Sequence, residues 1–217
     1  MSDVEHPPSA EPSGPAAAPA RKRPKPGERR IQILQALAGM LEQPGAERIT
    51  TAALAARLEV SEAALYRHFA SKAQMFEGLI EFIEQAVFTL VNQIAEREAG
   101  ATDPAAAARH AGKVVTMLLQ FGEKNPGMVR VMVGDALVYE NERLQQRMNQ
   151  FFDKIEATLK QCLRQGSAET LTPTADAQVQ ASVLTAFVVG RLQRFARSGF
   201  RRMPTEHLDA SLAQLLR

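Results

Sequence analysis

The sequence has a single cysteine, no tryptophan and no hydrophobic run of the ~18 residues that a membrane-spanning helix needs. One cysteine excludes a disulfide framework and any zinc site built from several cysteines. The amino-terminal segment is polar and proline-rich, and it lacks the apolar stretch of a signal peptide. These absences predict a soluble protein of the cytoplasm.

The residues that are abundant favour helices. Alanine, leucine, glutamine, glutamate and arginine dominate a chain of 217 residues, a length that suits one domain or two small ones. Apolar residues recur with the period of a helix, and no segment alternates as a half-buried strand would. The sequence therefore predicts an all-α fold without internal repeats.

Charge is unevenly distributed, although the net charge is only +2. Residues 1–20 carry three acidic groups and no basic one, whereas residues 21–72 carry ten basic and five acidic groups. Residues 1–27 also hold seven prolines, a composition typical of a disordered tail. The basic block indicates either an anionic partner or a solvated charged tail.

Nine helices are predicted after this tail. They cover about residues 31–41, 51–58, 61–69, 71–100, 104–124, 129–137, 141–165, 173–198 and a short segment opened by Pro204-Thr205. Pro44-Gly45 is expected to end the first helix, and Thr51, Ser61 and Ser71 are expected to cap the next three. The predicted inward stripes include Ile31 in the first helix and Leu90 in the fourth.

Two short capped helices at residues 49–72 have the spacing of a helix-turn-helix, whose second helix enters the major groove of DNA. The residues Thr51, Leu54-Ala55, Val60-Ser61, Leu65-Tyr66-Arg67-His68-Phe69 and Ser71-Lys72 resemble those of the TetR family of regulators. One departure is Glu59, which stands where the family usually has glycine in the tight turn. A positive φ there would cost ~1 kcal/mol.

Longer stretches, at residues 47–85, 121–156 and 188–206, are similar to the nucleoid occlusion factors within that family. The resemblance implies an all-helical homodimer that binds palindromic double-stranded DNA sites on the nucleoid and antagonises assembly of the FtsZ ring. It also implies a DNA-binding domain at 28–73 and a dimerisation and partner-binding body at 74–217. The proline-rich basic tail at 1–27 and the segment around residues 98–112 look unlike those proteins.

The expected DNA-contacting residues lie on or beside the second helix of this pair. They are Thr50, Thr51, Ser61, Glu62, Ala63, Ala64, Tyr66, Arg67, His68 and Lys72. Arg67 is the expected base reader or phosphate clamp, because a guanidinium pairs bidentately. Ser61 caps its helix and can also donate to a phosphate; Tyr66 and His68 can be structural instead, and Leu65 and Phe69 are expected in the core.

A second candidate surface is a groove for the C-terminal tail of FtsZ. Phe82 lies about 120° from the apolar stripe of its helix, so it is either exposed in a groove or buried between the DNA-binding unit and the body. The other candidate residues are Met117, Gln120, Lys124 and Asn125. Lys124 can pair with an acidic peptide, and Asn125 can hydrogen-bond an extended backbone.

No metal, cofactor or catalysis is expected. The four histidines are scattered, Cys162 has no partner motif and is read as packing, and there is no glycine-rich phosphate loop or nucleophile elbow.

The helix at 174–198 is apolar over a wide face that includes Val179 and Val183, which predicts both core and dimer contacts. The alternative function is a ligand-responsive repressor, but few inward polar residues favour a filled core instead.

Deleting residues 1–26 should leave the dimer folded and lower its affinity for DNA at low salt, because the basic run of the tail can meet phosphates beside the helix-turn-helix. Every phosphate that the tail no longer neutralises should reduce the slope of log K against log salt by ~0.9. Operator titrations at several salt concentrations measure this. An unchanged slope would show that the tail is only a solvated leader.

Overall fold

The computed structural model describes residues 27–43, 49–98, 100, 104–164 and 173–216, and within these ranges the chain is helical without strands. The elements are α1 (Glu28–Leu41), α2 (Thr51–Arg57), α3 (Glu62–Tyr66), α4 (Lys72–Glu98), α5 (Pro104–Lys124), α6 (Pro126–Met132), a 3-10 turn (Asp135–Leu137), α7 (Glu142–Arg164), α8 (Pro173–Arg197) and α9 (Leu208–Leu215). The predicted all-α fold is confirmed. The tail at 1–26, Pro44-Gly45 and Thr172 lie outside the described residues.

Hydroxyl side chains start the helices of the predicted helix-turn-helix. Ser61 accepts a hydrogen bond from the backbone N–H of Ala64 at 3.3 Å, and Ser71 accepts one from Gln74 at 3.2 Å, as predicted. The predicted cap Thr51 is wrong by one residue. Thr50 holds the extended cap conformation and accepts from Ala53 at 3.1 Å, which places Thr51 in the first helical turn.

Glu59 adopts the left-handed conformation in the turn between α2 and α3, with φ 53°. A side chain at positive φ is strained, so the departure from glycine is accommodated at a local cost. The turn is closed by the N–H of Val60, which donates to the carbonyl of Ala55 at 3.0 Å.

Three predicted details differ from the structure. Ile31 is 46% exposed, because α1 turns its Ile33, Leu34 and Leu37 side inward; Leu90 is 36% exposed on the outer side of α4. The last helix begins at Leu208, later than Pro204-Thr205, because His207 takes a left-handed conformation before it. The predicted helix at 129–137 is divided by Gly134, whose φ of 84° ends one helix and starts the 3-10 turn.

Helices α4 to α8 pack into the body. Helix α7 lies along α8, and α5 packs against α4, α7 and α8. Glu84 of α4 accepts hydrogen bonds from Arg147 at 2.9 Å and Lys154 at 3.2 Å, both on α7. Among the described residues, no helix has both the length and the apolarity to cross a membrane.

A single hydrophobic cluster runs from α1 and α2 through α4 into α8. Helix α6 is the piece that joins α1 to the body, since it packs against α1, α4, α5 and α8. The joint is close: a Cβ atom added to Gly127 at the start of α6 would lie 1.9 Å from the carbonyl oxygen of Ala38 in α1. Only glycine allows this approach.

Gly127→Ala should lower the free energy of unfolding by roughly 2 kcal/mol or more, because two backbones must separate to admit the methyl group. Urea denaturation measures the change. Gly39→Ala is the matched control in α1, since its added Cβ meets nothing within 4 Å; this change should instead stabilise the protein by ~0.5–1 kcal/mol. Equal effects of the two substitutions would contradict the close joint.

Candidate functional site

Helix α3 presents a polar face to solvent, and two buried side chains anchor the helix and the turn after it to the core. Leu65 and Phe69 are each 1% exposed, which confirms both as core. The residues turned outward are Ser61, Glu62, Ala63, Tyr66, Arg67 and His68, with Ala64 partly buried. The candidates on α3 thus form one accessible surface, as a groove-facing helix requires.

A hydrogen-bonded chain links this face to α2. The Thr51 hydroxyl donates to the Glu62 carboxylate at 2.6 Å, and the Tyr66 hydroxyl donates to Thr51 at 3.5 Å. Tyr66 is still 45% exposed. The three side chains are therefore oriented before any ligand arrives, while Thr50 is engaged as the helix cap.

The guanidinium of Arg67 stands at the end of α3, exposed and without a hydrogen-bond or ion-pair partner among the described residues. A free guanidinium beside a polar helix face can clamp a phosphate or pair with guanine. His68 is exposed as well, and its carbonyl, rather than its ring, makes the structural contact.

Arg30 is a residue of this region that the sequence reasoning did not select. Its Nη1 donates to the His68 carbonyl at 2.8 Å, and its guanidinium lies 4.1 Å from the centre of the Phe69 ring. Arg30 thus fastens α1 to the end of α3. The sequence signal that could have identified Arg30 is its position shortly after the basic run at residues 21–25.

Lys72, the candidate phosphate contact at the start of α4, is paired with the carboxylate of Glu140 just before α7. Its ammonium also lies 5.7 Å from the centre of the Phe76 ring. The pair is partly buried, with the Lys72 side chain 28% and the Glu140 side chain 12% exposed. A phosphate can reach Lys72 only in competition with this carboxylate.

Phe82 is partly buried and lines a small apolar niche between α1, α4 and α6. The other residues of this niche are Ile31, Leu34, Gln35, Leu79 and Met128. The structure thus combines the two interpretations of Phe82: it packs against the core at the junction of the DNA-binding unit and the body, and part of its ring remains accessible. Ile31 and Met128 are the neighbours that the sequence reasoning missed.

The remaining partner candidates do not line this niche. Met117, Gln120 and Lys124 follow one another along α5 at intervals of three and four residues, which places them on one face. Gln120 and Lys124 are exposed and Met117 is partly buried. Asn125 donates from Nδ2 to the carbonyl of Phe121 at 2.8 Å, so its amide closes α5 and is only partly available to a peptide.

A cleft of about 290 Å³ opens between α4, α5 and α7, lined in part by Asn92, His110, Thr158 and Gln161. Burial lowers the pKa of His110. Burial also raises the pKa of the adjacent Cys162 thiol to about 11, so the thiol stays protonated, and its 4% exposure confirms it as packing. Within the described ranges, no three His, Cys, Asp or Glu side chains gather as a metal site.

The outer face of α8 is apolar in its first half. Val179 is 64% and Val183 is 46% exposed, whereas Leu184, Val188 and Leu192 on the opposite side are fully buried. The core part of the prediction for this helix is confirmed. The exposed β-branched residues leave an apolar stripe on the surface of a single chain.

Two families match the sequence. Residues 33–79 match the family described as bacterial regulatory proteins, tetR family, and residues 108–217 match the SlmA-like family described as tetracyclin repressor-like, C-terminal domain. The nucleoid occlusion factor SlmA of Idiomarina loihiensis is 49% identical over 84% of this chain and 90% of its own length. The SlmA of Alteromonas mediterranea is 48% identical over 85% and 92%.

Solved structures agree at the level of fold. The fatty acid degradation regulator FadR from Bacillus halodurans superposes with a TM-score of 0.66 at 18% identity, covering 89% of this chain and 97% of its own. A transcriptional regulator of the TetR/AcrR family from Thermobifida fusca gives a TM-score of 0.63 at 16% identity, over 88% and 98%.

Arg67→Ala should weaken specific DNA binding by ~1–3 kcal/mol if the guanidinium pairs bidentately with a base. Fluorescence anisotropy with an operator duplex at fixed salt measures it. Arg164→Ala, which removes the same charge from an exposed position at the end of α7, should bind as the parent does. If Arg67→Ala stays folded and keeps full operator affinity, Arg67 does not contact DNA.

Proposed function

This chain belongs to the TetR family, in its SlmA branch of nucleoid occlusion factors, and on that premise we propose that it binds palindromic chromosomal sites as a homodimer and, when bound, antagonises FtsZ ring assembly. It would act in the cytoplasm on the nucleoid. Its curated relatives are named for nucleoid occlusion rather than for a reaction, so the proposal is one of binding, without catalysis.

The observation that best supports the DNA-binding part of the proposal is the prearranged outer face of α3. Capped helices, the Thr51–Glu62–Tyr66 chain and the Arg30 contact fix this face in position. The uncompensated guanidinium of Arg67 stands at its end. Rigid placement of a few polar groups on a short helix is what reading base edges in the major groove demands.

The homodimer is proposed on the apolar stripe of α8. A palindromic site presents two half-sites related by a two-fold axis, and a symmetric pair of helix-turn-helix units matches it. Val179 and Val183, exposed on one protomer, would be covered by the same surface of the second copy. An isologous contact of this kind closes at two subunits.

The FtsZ contact is proposed on the niche of Phe82 and the exposed face of α5. The niche offers an accessible part of an aromatic ring beside the exposed Ile31, and Lys124 adds a positive charge. A short tail that mixes apolar and acidic residues, as the resemblance implies for FtsZ, would match both. The niche also touches α1, so a partner there lies next to the DNA-binding unit.

A ligand-responsive repressor remains the alternative. Its support is the cleft beside His110, whose volume of about 290 Å³ is at the lower end of ~300–1,000 Å³ for small-molecule sites. The core argues against this alternative. Thr185 is the one buried polar side chain among the described residues, whereas a ligand site needs several polar groups that converge on a cavity. The names of the relatives favour nucleoid occlusion.

Phe82→Ala should weaken binding of an FtsZ tail peptide by ~1–3 kcal/mol, since the accessible part of the ring no longer offers apolar surface to the peptide. Lys124→Glu should weaken it by ~0–1 kcal/mol, and less at high salt. Anisotropy with a labelled peptide measures both, and an operator duplex is titrated in parallel.

Operator binding should survive both substitutions, because neither residue lies on α3. Because Phe82 also packs against the core, urea denaturation of each variant is the control for folding. If Phe82→Ala loses peptide and operator binding together with stability, Phe82 is a core residue only. If both variants bind the peptide like the parent, FtsZ contacts another surface of the body.

A further inference from the structure

Glu62 is an acidic side chain on a surface that is proposed to meet a polyanion. Among the candidate DNA-contacting residues, it alone carries a negative charge. It is exposed on the outer face of α3, beside the exposed Ala63. A carboxylate at this place needs an explanation that the other candidates do not, because it repels the phosphates of the duplex that those residues would attract.

The Glu62 carboxylate is held in place from a second helix. The Thr51 hydroxyl, in the first turn of α2, donates to its Oε2 at 2.6 Å, and the Tyr66 hydroxyl donates to Thr51 at 3.5 Å. Within the described part of the chain, Oε1 of Glu62 has no hydrogen-bond partner, and Glu62 forms no ion pair. One carboxylate oxygen therefore fixes the side chain, and the other is available to a ligand.

The tether to Thr51 does not by itself account for an acidic residue. It requires only an acceptor oxygen, which a glutamine side chain would supply without a charge. Phosphate is excluded as the ligand of Oε1, since an ionised carboxylate only accepts hydrogen bonds and a phosphate diester has no proton to donate. The partner that suits Oε1 is a hydrogen-bond donor on the duplex.

The major groove presents such donors only on two bases. Cytosine presents its N4 amine and adenine presents its N6 amine, whereas guanine and thymine present acceptors there. Adenine also presents the acceptor N7 beside its amine, and a negatively charged oxygen is repelled by N7. Cytosine has no acceptor next to its amine on this edge, so it is the base that a carboxylate matches.

We propose that Glu62 is a specificity-determining residue that recognises one cytosine in each half-site of the DNA, an inference that rests on the proposed function of α3. Its Oε1 accepts a hydrogen bond from the N4 amine of that cytosine, while Thr51 holds Oε2. The charge also acts against other sequences. At a base that presents only acceptors, the carboxylate would lose water and gain no partner, which weakens binding.

The test is a selection of duplexes from a randomised pool by the full-length protein, followed by sequencing of the bound fraction for the parent and each variant. The parent should prefer cytosine by about fivefold or more at one position of each half-site. Glu62→Ala should remove the preference at that position and keep the others. Glu62→Gln should change the selected base from cytosine to adenine, because a glutamine amide donates to N7 and accepts from the N6 amine of adenine.

Glu42→Gln is the matched control, since it removes the same charge from the exposed end of α1; it should leave every base preference unchanged. Urea denaturation checks the folding of each variant. Glu62→Gln keeps an acceptor for Thr51, so it decides the question even where Glu62→Ala is unstable.

The proposal is overturned if the parent selects a palindrome and both Glu62 variants select the same bases as the parent. Glu62 would then only support α3 through its contact with Thr51. A parent that selects no sequence at all would instead overturn the proposed function, and the role of Glu62 with it. The two failures are therefore distinguished by the behaviour of the parent alone.

Discussion

The close contact between α1 and α6 determines how the two functional parts of this molecule are connected. Gly127 brings the backbone of α6 directly against the carbonyl of Ala38, without an intervening side chain. Since α6 also packs into α4, α5 and α8, the helix-turn-helix is attached through a rigid joint and not through a flexible linker. The continuous core from α1 to α8 has the same consequence.

Helix α3, which we propose to face the groove of DNA, depends on this support. With five residues, α3 is far too short to form alone in water, and it exists because Leu65 and Phe69 anchor it and Ser61 caps it. The side chains that are proposed to read DNA can then lie on its other face. The niche at Phe82, the proposed partner site, borders on the same support through Ile31 of α1, so a partner bound there would contact a helix of the DNA-binding unit.

Much of this arrangement could be predicted from the sequence, because caps and periodicity are local signals. The helix starts at Ser61, Ser71 and Pro104 followed from single residues and their neighbours, whereas the tight turn at Glu59, whose φ is 53°, was expected only from the resemblance to the family. Long-range pairings could not be read that way. Lys72 meets Glu140 across 68 residues, and Arg30 meets His68 across 38; each depends on how helices pack. Ile31 and Leu90 were predicted to point inward but are exposed, because a wide apolar stripe does not show where its edge meets solvent.

The apolar face of α8 that solvent can reach includes Val179, Val183, Phe187 and Gly190, and the arginines begin only at Arg191. In the proposed dimer, the subunits would therefore be held along the middle of a 25-residue helix and only loosely beyond it. Such a contact would act as a pivot about which the bodies of the two protomers rotate as rigid units. A small rigid-body rotation at the pivot would become a larger displacement at the groove-facing helices, which would let one dimer fit half-sites of slightly different spacing without any change within the helix-turn-helix itself.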